Sequence, residues 1–271
     1  MRAVPALVAA SALLLGGCGT ATPTTDLVAS WPVDETGVVL RVDVHAGFAR
    51  SGIVSFEADG RVVRAADTSV HASVDDYATW RISRAGLERV LRAFDDLDVR
   101  TAEAGDSGPG AVSPSSRNVG LWFGGGRVLS GSAPLAATGD PAEPVERLWA
   151  LANDVADPAW HGRYVVGEPG PWVPDGVGVL AGPPDTIGAA GDGFRPWPLG
   201  RGIRALSLGS RPSSHGVPEE ALCLTGDDAA KVFALMDGEN LSRLRVHDGE
   251  QWELTLMVHL PAYHLLSSPC A

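Results

Sequence analysis

The chain has 271 residues, of which 45% are apolar and 20% charged. That is enough apolar content for the core of one large domain or two ordinary ones, and it excludes a disordered chain. Its 33 acidic residues outweigh 21 basic ones, for a net charge of −12. A surface of that sign repels phosphate backbones and anionic lipid headgroups, which argues against nucleic acid as a partner and against charge-driven membrane docking.

The first residues, Met1-Arg2, are followed by an apolar run from Val4 to Leu15 and then by Leu15-Gly16-Gly17-Cys18. The run is too short to span a bilayer and reads as a secretory signal. A lone Cys directly after Leu-Gly-Gly resembles the lipobox of bacterial lipoproteins. That resemblance implies that residues 1–17 are removed and that Cys18 becomes an acylated N-terminus. The mature chain would then sit on the extracytoplasmic face of the cell membrane, held by its acyl chains. Removal of residues 1–17 takes away Arg2 alone among the charges and leaves 20 basic against 33 acidic groups, a balance of −13. Residues 18–30, rich in Thr, Ala and Pro, read as a flexible tether.

From there the pattern is that of an α+β protein of two small domains, each a sheet with one or two packed helices. Val38 to Val44 alternates as a half-buried strand does. Ile53 to Ala58 and Arg61 to Arg64 flank Asp59-Gly60, a strong hairpin signal because both turn positions favour positive φ. Ser83 is placed to cap a helix whose Leu87, Val90, Leu91, Phe94 and Leu97 form one apolar stripe. Residues 101–117 are a Gly/Ser/Pro/Ala loop, followed by a hairpin of Val119–Phe123 and Arg127–Leu129 around three glycines. Asp140-Pro141-Ala142-Glu143 opens the next helix, with Val145, Leu148, Trp149, Ala152 and Val155 inward. The first domain is thereby expected over 31–162.

The second domain, 163–271, begins with a Pro/Gly/Trp-rich passage and a short strand from Val177 to Ala181. A strand from Ile203 to Leu208 and a helix from Asp227 to Met236 follow, the helix capped by Thr225 and closed by Gly238. Leu244–His247 turns at Asp248-Gly249 into Trp252–Val258. With Cys18 assigned to lipid, Cys223 and Cys270 remain, an even pair in an oxidising compartment, and are read as a disulfide. A metal or redox pair is the rival reading, but no Cys-x-x-Cys spacing supports it.

No complete catalytic constellation is present. Gly105-Asp106-Ser107-Gly108-Pro109 is similar to the nucleophile segment of chymotrypsin-type proteases but lacks its second Gly, and no Ala-Ala-His-Cys segment supplies a base. Gly124-Gly125-Gly126-Arg127 is followed by a strand and lacks the Lys-Ser/Thr of a phosphate loop. The seven histidines (His45, His71, His161, His215, His247, His259, His264) show no zinc spacing. The acidic groups Asp75-Asp76, Asp95-Asp96-Asp98 and Asp227-Asp228 do not fit a calcium loop. No cofactor or metal is therefore expected. Trp160, Trp172 and Trp197, set among prolines, would stack on a sugar or peptide if exposed and join the two domains if buried; burial is expected.

Several segments together resemble a group of uncharacterised lipoproteins from high-GC Gram-positive bacteria. These are the lipobox, Ala58-Asp59-Gly60-Arg61-Val62-Val63, the helix from Ile82 to Leu91, Pro196-Trp197-Pro198-Leu199, Cys223 before Thr225–Ala229, and Leu260-Pro261 ahead of Cys270. The use of arginine at every basic position but Lys231 fits such a genome. His259–Tyr263 departs from the Arg-Pro-Leu-Leu-Pro-type segment of that group. The group has no settled activity, so the resemblance implies architecture and address and transfers no catalytic residue. The function expected is a non-catalytic binding or scaffolding module whose partner is an envelope protein or small ligand. A hydrolase with a dispersed active site and an extracellular protease inhibitor are the alternatives. The inhibitor reading rests on Ala205–Leu208 and the His215–Pro218 loop ahead of Cys223, faintly similar to subtilisin-inhibitor-like domains.

Overall fold

The computed structural model describes residues 28, 31, 33, 37–46, 50–66, 68, 72–97, 116–124, 126–134, 144–184, 193–212, 216–236, 244–261 and 269–270. Its elements are β1 (Val38–Ala46), β2 (Arg50–Glu57), β3 (Arg61–Ala65), β4 (Tyr77–Ile82), α1 (Arg84–Asp96), β5 (Ser116–Phe123), β6 (Gly126–Pro134), α2 (Pro144–Val155), α3 (Pro158–His161) and β7 (Val165–Pro171). They continue with β8 (Gly176–Gly182), β9 (Arg195–Pro196), α4 (Ile203–Leu206), β10 (Ser210–Pro212), β11 (Pro218–Thr225), α5 (Gly226–Phe233), β12 (Leu244–His247) and β13 (Gln251–Val258). The fold is α+β with two sheets, in the strand orders β6-β5-β1-β2-β3-β4-β7 and β10-β11-β8-β13-β12-β9.

The first sheet is built from hairpins whose turns the local chemistry dictates. Gly60 holds φ at +84° between β2 and β3, and its carbonyl accepts from the Ile82 amide at 2.8 Å, so the turn also braces β4. Alternation then sorts the strands onto two faces. On one face Val42, Val54, Phe56, Val62, Trp80 and Leu121 pack under Leu87, Val90, Leu91 and Phe94 of α1 and Leu148, Ala152 and Val155 of α2. Helix α1 begins where Ser83 Oγ accepts from the Gly86 amide at 3.3 Å, as its capping residue predicts.

On the other face Ile53, Val63, Ala65 and Tyr77 join a second core shared with the second sheet and with Ala229, Val232 and Phe233 of α5. The two domains therefore share one apolar interface. Trp172 sits in it, stacked on Tyr77 of β4 at 6.0 Å and edge-on to Phe233 of α5 at 6.5 Å. The first sheet takes in β7, which pairs antiparallel with β4 and lies beyond the boundary expected at residue 162. Val28 and Trp31 pack against the first core, so the folded body reaches back to Val28, inside the segment 18–30 read as tether.

Two expected elements differ. Ile203–Leu206 forms a turn of helix where a strand is expected, because the Asp248 carboxylate accepts from the Ile203 amide at 2.6 Å and fixes a helical start. Helix α5 ends at Phe233, earlier than expected, and Thr225 occupies its N-cap position without a side-chain cap bond. The Asp140 cap, the 101–115 loop, Cys18 and Gly238 lie outside the described residues.

Candidate functional site

Beyond the apolar patch, the same face of the first sheet carries a polar strip. Arg41, Asp43 and His45 alternate along β1 and so share that face. Arg41 and Asp43 are only 6% and 7% exposed, which makes them the most deeply buried ion pair of the described residues. Arg41 grips Asp43 in bidentate fashion, Nε to Oδ1 and a terminal nitrogen to Oδ2, each at 2.9 Å. Trp122 of β5 donates its indole N–H to Asp43 Oδ2 at 2.9 Å, and the Arg41 guanidinium lies 4.4 Å from the centre of that indole. The Asp43 carboxylate thus accepts from three donors. This constellation is a buried hydrogen-bonded network across β1 and β5. Burial lowers the pKa of the neighbouring His45; Asp43 opposes that shift and Arg41 reinforces it.

Further along the strip, Glu57 and Arg61 pair at 2.7 Å across the first hairpin. Ser55, 1% exposed, donates to the Pro261 carbonyl at 3.1 Å and so ties the segment after β13 to the first sheet. Cys270 of the same terminal segment is bonded to Cys223 of β11, with the two Cα atoms 4.9 Å apart. The expected disulfide is thus present. It closes 47 residues of sequence separation, worth about 4 kcal/mol in the chain-entropy view.

His161, 1% exposed, is a buried titratable group outside an ion pair. Its Nε2–H donates to the Val155 carbonyl at 2.9 Å, and its ring lies among Trp160, Phe56 and Trp80 at centroid distances of 5.1, 6.0 and 6.1 Å. Burial pushes its pKa down, partly offset by the Val155 bond and reinforced by Arg89. It is a core histidine that joins α3 to the first sheet.

The tryptophans singled out in the sequence divide between three environments. Trp172 and Trp197 are buried at 6% and 7% exposure. The former joins the domains; the latter belongs to the second core and donates to the Arg201 carbonyl at 3.0 Å. Trp160 is half-buried, with Arg89 stacked 4.0 Å from its centre.

A small open cleft of about 200 Å³ lies elsewhere, between the β2–β3 turn and the start of α1. Trp31, Ala58, Asp59, Gly60, Arg84 and Leu87 line it. Arg84 stacks over Trp31 at 4.7 Å and pairs with Glu88 at 3.2 Å, while Asp59 is held by Arg81 at 2.9 Å. The Arg61 amide, the largest influence, and Arg81 keep the Asp59 carboxyl below the usual carboxylate range against a smaller opposing effect of burial.

Among the described residues no three His, Cys, Asp or Glu side chains converge on a common point that would hold a metal ion. His71, His215 and His264 and the Gly105–Pro109 segment lie outside the described residues. Sequence reasoning passed over the Arg41–Asp43–Trp122 network and the Trp31–Arg84 cleft. An Arg-x-Asp spacing inside an apolar strand is the signal for the first; the second joins distant segments and has no local signal. Comparison with models of known families, with curated proteins and with solved structures finds no match.

Proposed function

We propose that this chain is a lipid-anchored protein of the bacterial cell envelope, held at Cys18 on the extracytoplasmic face of the membrane, and that it acts as a non-catalytic binding or scaffolding module. The Cys223–Cys270 bridge carries this reading, because a structural disulfide of this kind persists in oxidising compartments. It agrees with the Leu15-Gly16-Gly17-Cys18 signal at the other end of the chain. The bonding of Asp43 supports the non-catalytic part: this buried carboxylate is already held by Arg41 and Trp122. No helix among the described residues is long and apolar enough to cross a membrane, so on this reading attachment falls to the acyl chains.

Detergent-phase partitioning tests the reading. The native protein is expected in the detergent phase, and Cys18→Ala is expected to move it to the aqueous phase or leave it unprocessed. Unchanged partitioning of Cys18→Ala would contradict the anchor. Turnover of a chromogenic ester or peptide by the purified chain would contradict the non-catalytic reading.

A further inference from the structure

Three buried polar atoms on the helical side of the first sheet have no hydrogen-bond partner among the described residues: Nε1 of Trp80, Nδ1 of His161 and Nε of Arg64. They belong to one neighbourhood. Val62 and Arg64 of β3 stand opposite Trp80 and Ala78 of β4, so Arg64 and Trp80 are diagonal neighbours on one face of the sheet. The rings of Trp80 and His161 lie 6.1 Å apart, centre to centre. Two successive carbonyls at the C-terminal end of α2 hold His161 and Arg64 close together. The Val155 carbonyl accepts from His161 Nε2–H at 2.9 Å, and the Ala156 carbonyl accepts from a terminal nitrogen of Arg64 at 3.3 Å. Trp80 and His161 are 3% and 1% exposed, so bulk solvent does not serve their free atoms.

The chemistry of each group fixes its role. A carbonyl only accepts, so His161 Nε2 carries the proton that binds Val155. Burial pushes the His161 pKa down, so the ring is neutral at pH 7 and Nδ1 is a bare acceptor. Trp80 Nε1–H and Arg64 Nε–H are donors only. Two donors and one acceptor call for a ligand that accepts twice and donates once. An anion does not meet this, because it would face the Nδ1 lone pair and the carbonyl end of α2, the negative pole of that helix. A metal cation does not meet it either, because two of the three groups are N–H donors. Water does: at buried polar sites it makes about three hydrogen bonds. We propose that one ordered water molecule is a resident ligand here, accepting from Trp80 and Arg64 and donating to His161 Nδ1. It joins β3, β4 and α3 at the end of α2, and with Val155 it holds His161 in a single tautomer.

The test is a crystal structure of the chain from Gly19 onward, which keeps every described residue, with a second crystal soaked in bromide. One water within about 3.2 Å of Trp80 Nε1, His161 Nδ1 and Arg64 Nε is expected, with no anomalous bromide signal at that point. A direct bond between Trp80 Nε1 and His161 Nδ1, a dry contact between the two rings, or bromide in place of water would overturn the site. Nuclear Overhauser spectra of the same chain check it in solution. The Trp80 indole proton, picked out by sequential assignment from the eight indoles of the chain, is expected to show contact with a long-lived water. Contacts with protein protons alone would overturn the proposal. Neither measurement needs a substitution in the core, so a failure to fold cannot stand in for a result.

Discussion

At the scale of single residues the molecule is governed by buried charge that is paired in place. Removing one partner of a buried ion pair costs far more than replacing both, because the survivor stays desolvated and alone. Asp43→Ala would remove the carboxylate that accepts from both the Arg41 guanidinium and the Trp122 indole N–H. It is expected to lower the unfolding free energy by about 3–5 kcal/mol in urea titration, while the double change Arg41→Met with Asp43→Leu is expected to lower it by much less. Equal losses from both would show that the pair stabilises the fold beyond its own desolvation.

Histidine sets the pH response. In the unfolded chain His161 titrates near 6.5, whereas in the fold burial, chiefly, holds it lower. Above that value both states are neutral and stability is complete. As pH falls below about 6.5, the unfolded chain takes up a proton that the folded chain refuses, so stability is lost. Tm is therefore expected to fall between pH 7 and pH 5 (roughly the span over which histidine titrates) and to fall less steeply in His161→Phe. An identical slope in the variant would assign the effect elsewhere. Asp248 is also shifted downward, by bonds rather than by burial. Burial disfavours its charge, but bonds from the Ile203 amide, the Trp252 indole and the Glu250 amide outweigh that and hold its pKa below the ordinary carboxylate value. Its contribution is present above that ordinary value and is lost only as pH falls further, through the lowered pKa.

At the scale of elements, legibility tracks the range of the interaction that decides each one. The Asp59-Gly60 and Asp248-Gly249 hairpins and the Ser83-capped helix α1 could be read in the sequence because the turn chemistry and the apolar stripe are local. Ile203–Leu206 could not, because its Ile-Arg-Ala-Leu pattern fits either period and Asp248, 45 residues away, decides it. Strand β7 was hidden for a different reason. Val-Val-Gly-Glu-Pro-Gly-Pro reads as a loop, and it forms a strand only as the outer edge of the first sheet, where prolines leave no ladder bond unmet. Trp172, directly after it, has a role that only the docked second domain reveals. Trp172→Ala is expected to cost about 3–5 kcal/mol, the usual penalty for emptying a large aromatic site. Thermal unfolding is then expected to split into two transitions, as the shared apolar contact between the sheets weakens. A single, barely shifted transition would place the coupling elsewhere.

At the scale of the whole molecule, the chain is bound to itself at one end by sulfur and, on the reading proposed, bound to lipid by sulfur at the other. Cys223 and Cys270 join β11 to the terminal segment that also reaches Ser55 of the first sheet, so the bridge supports contact between the domains. Replacing both cysteines by serine is expected to cost about 2–5 kcal/mol. A Tm unchanged from the parent protein would mean that the bridge leaves the fold's stability unaltered. The disulfide could be anticipated from cysteine parity, and so could the α+β class from the order of strands and helices. The Arg41–Asp43 pair has a local Arg-x-Asp signal, whereas the Trp122 bond to it could not be anticipated, since 79 residues separate Trp122 from Asp43.

The most direct measurement is the intact mass of the N-terminal peptide from protein purified out of its native membrane. A peptide that begins at Cys18 and carries the added mass of acyl chains is the result expected. A chain that retains residues 1–17, or begins at an unmodified Cys18, would contradict the anchor and with it the envelope address.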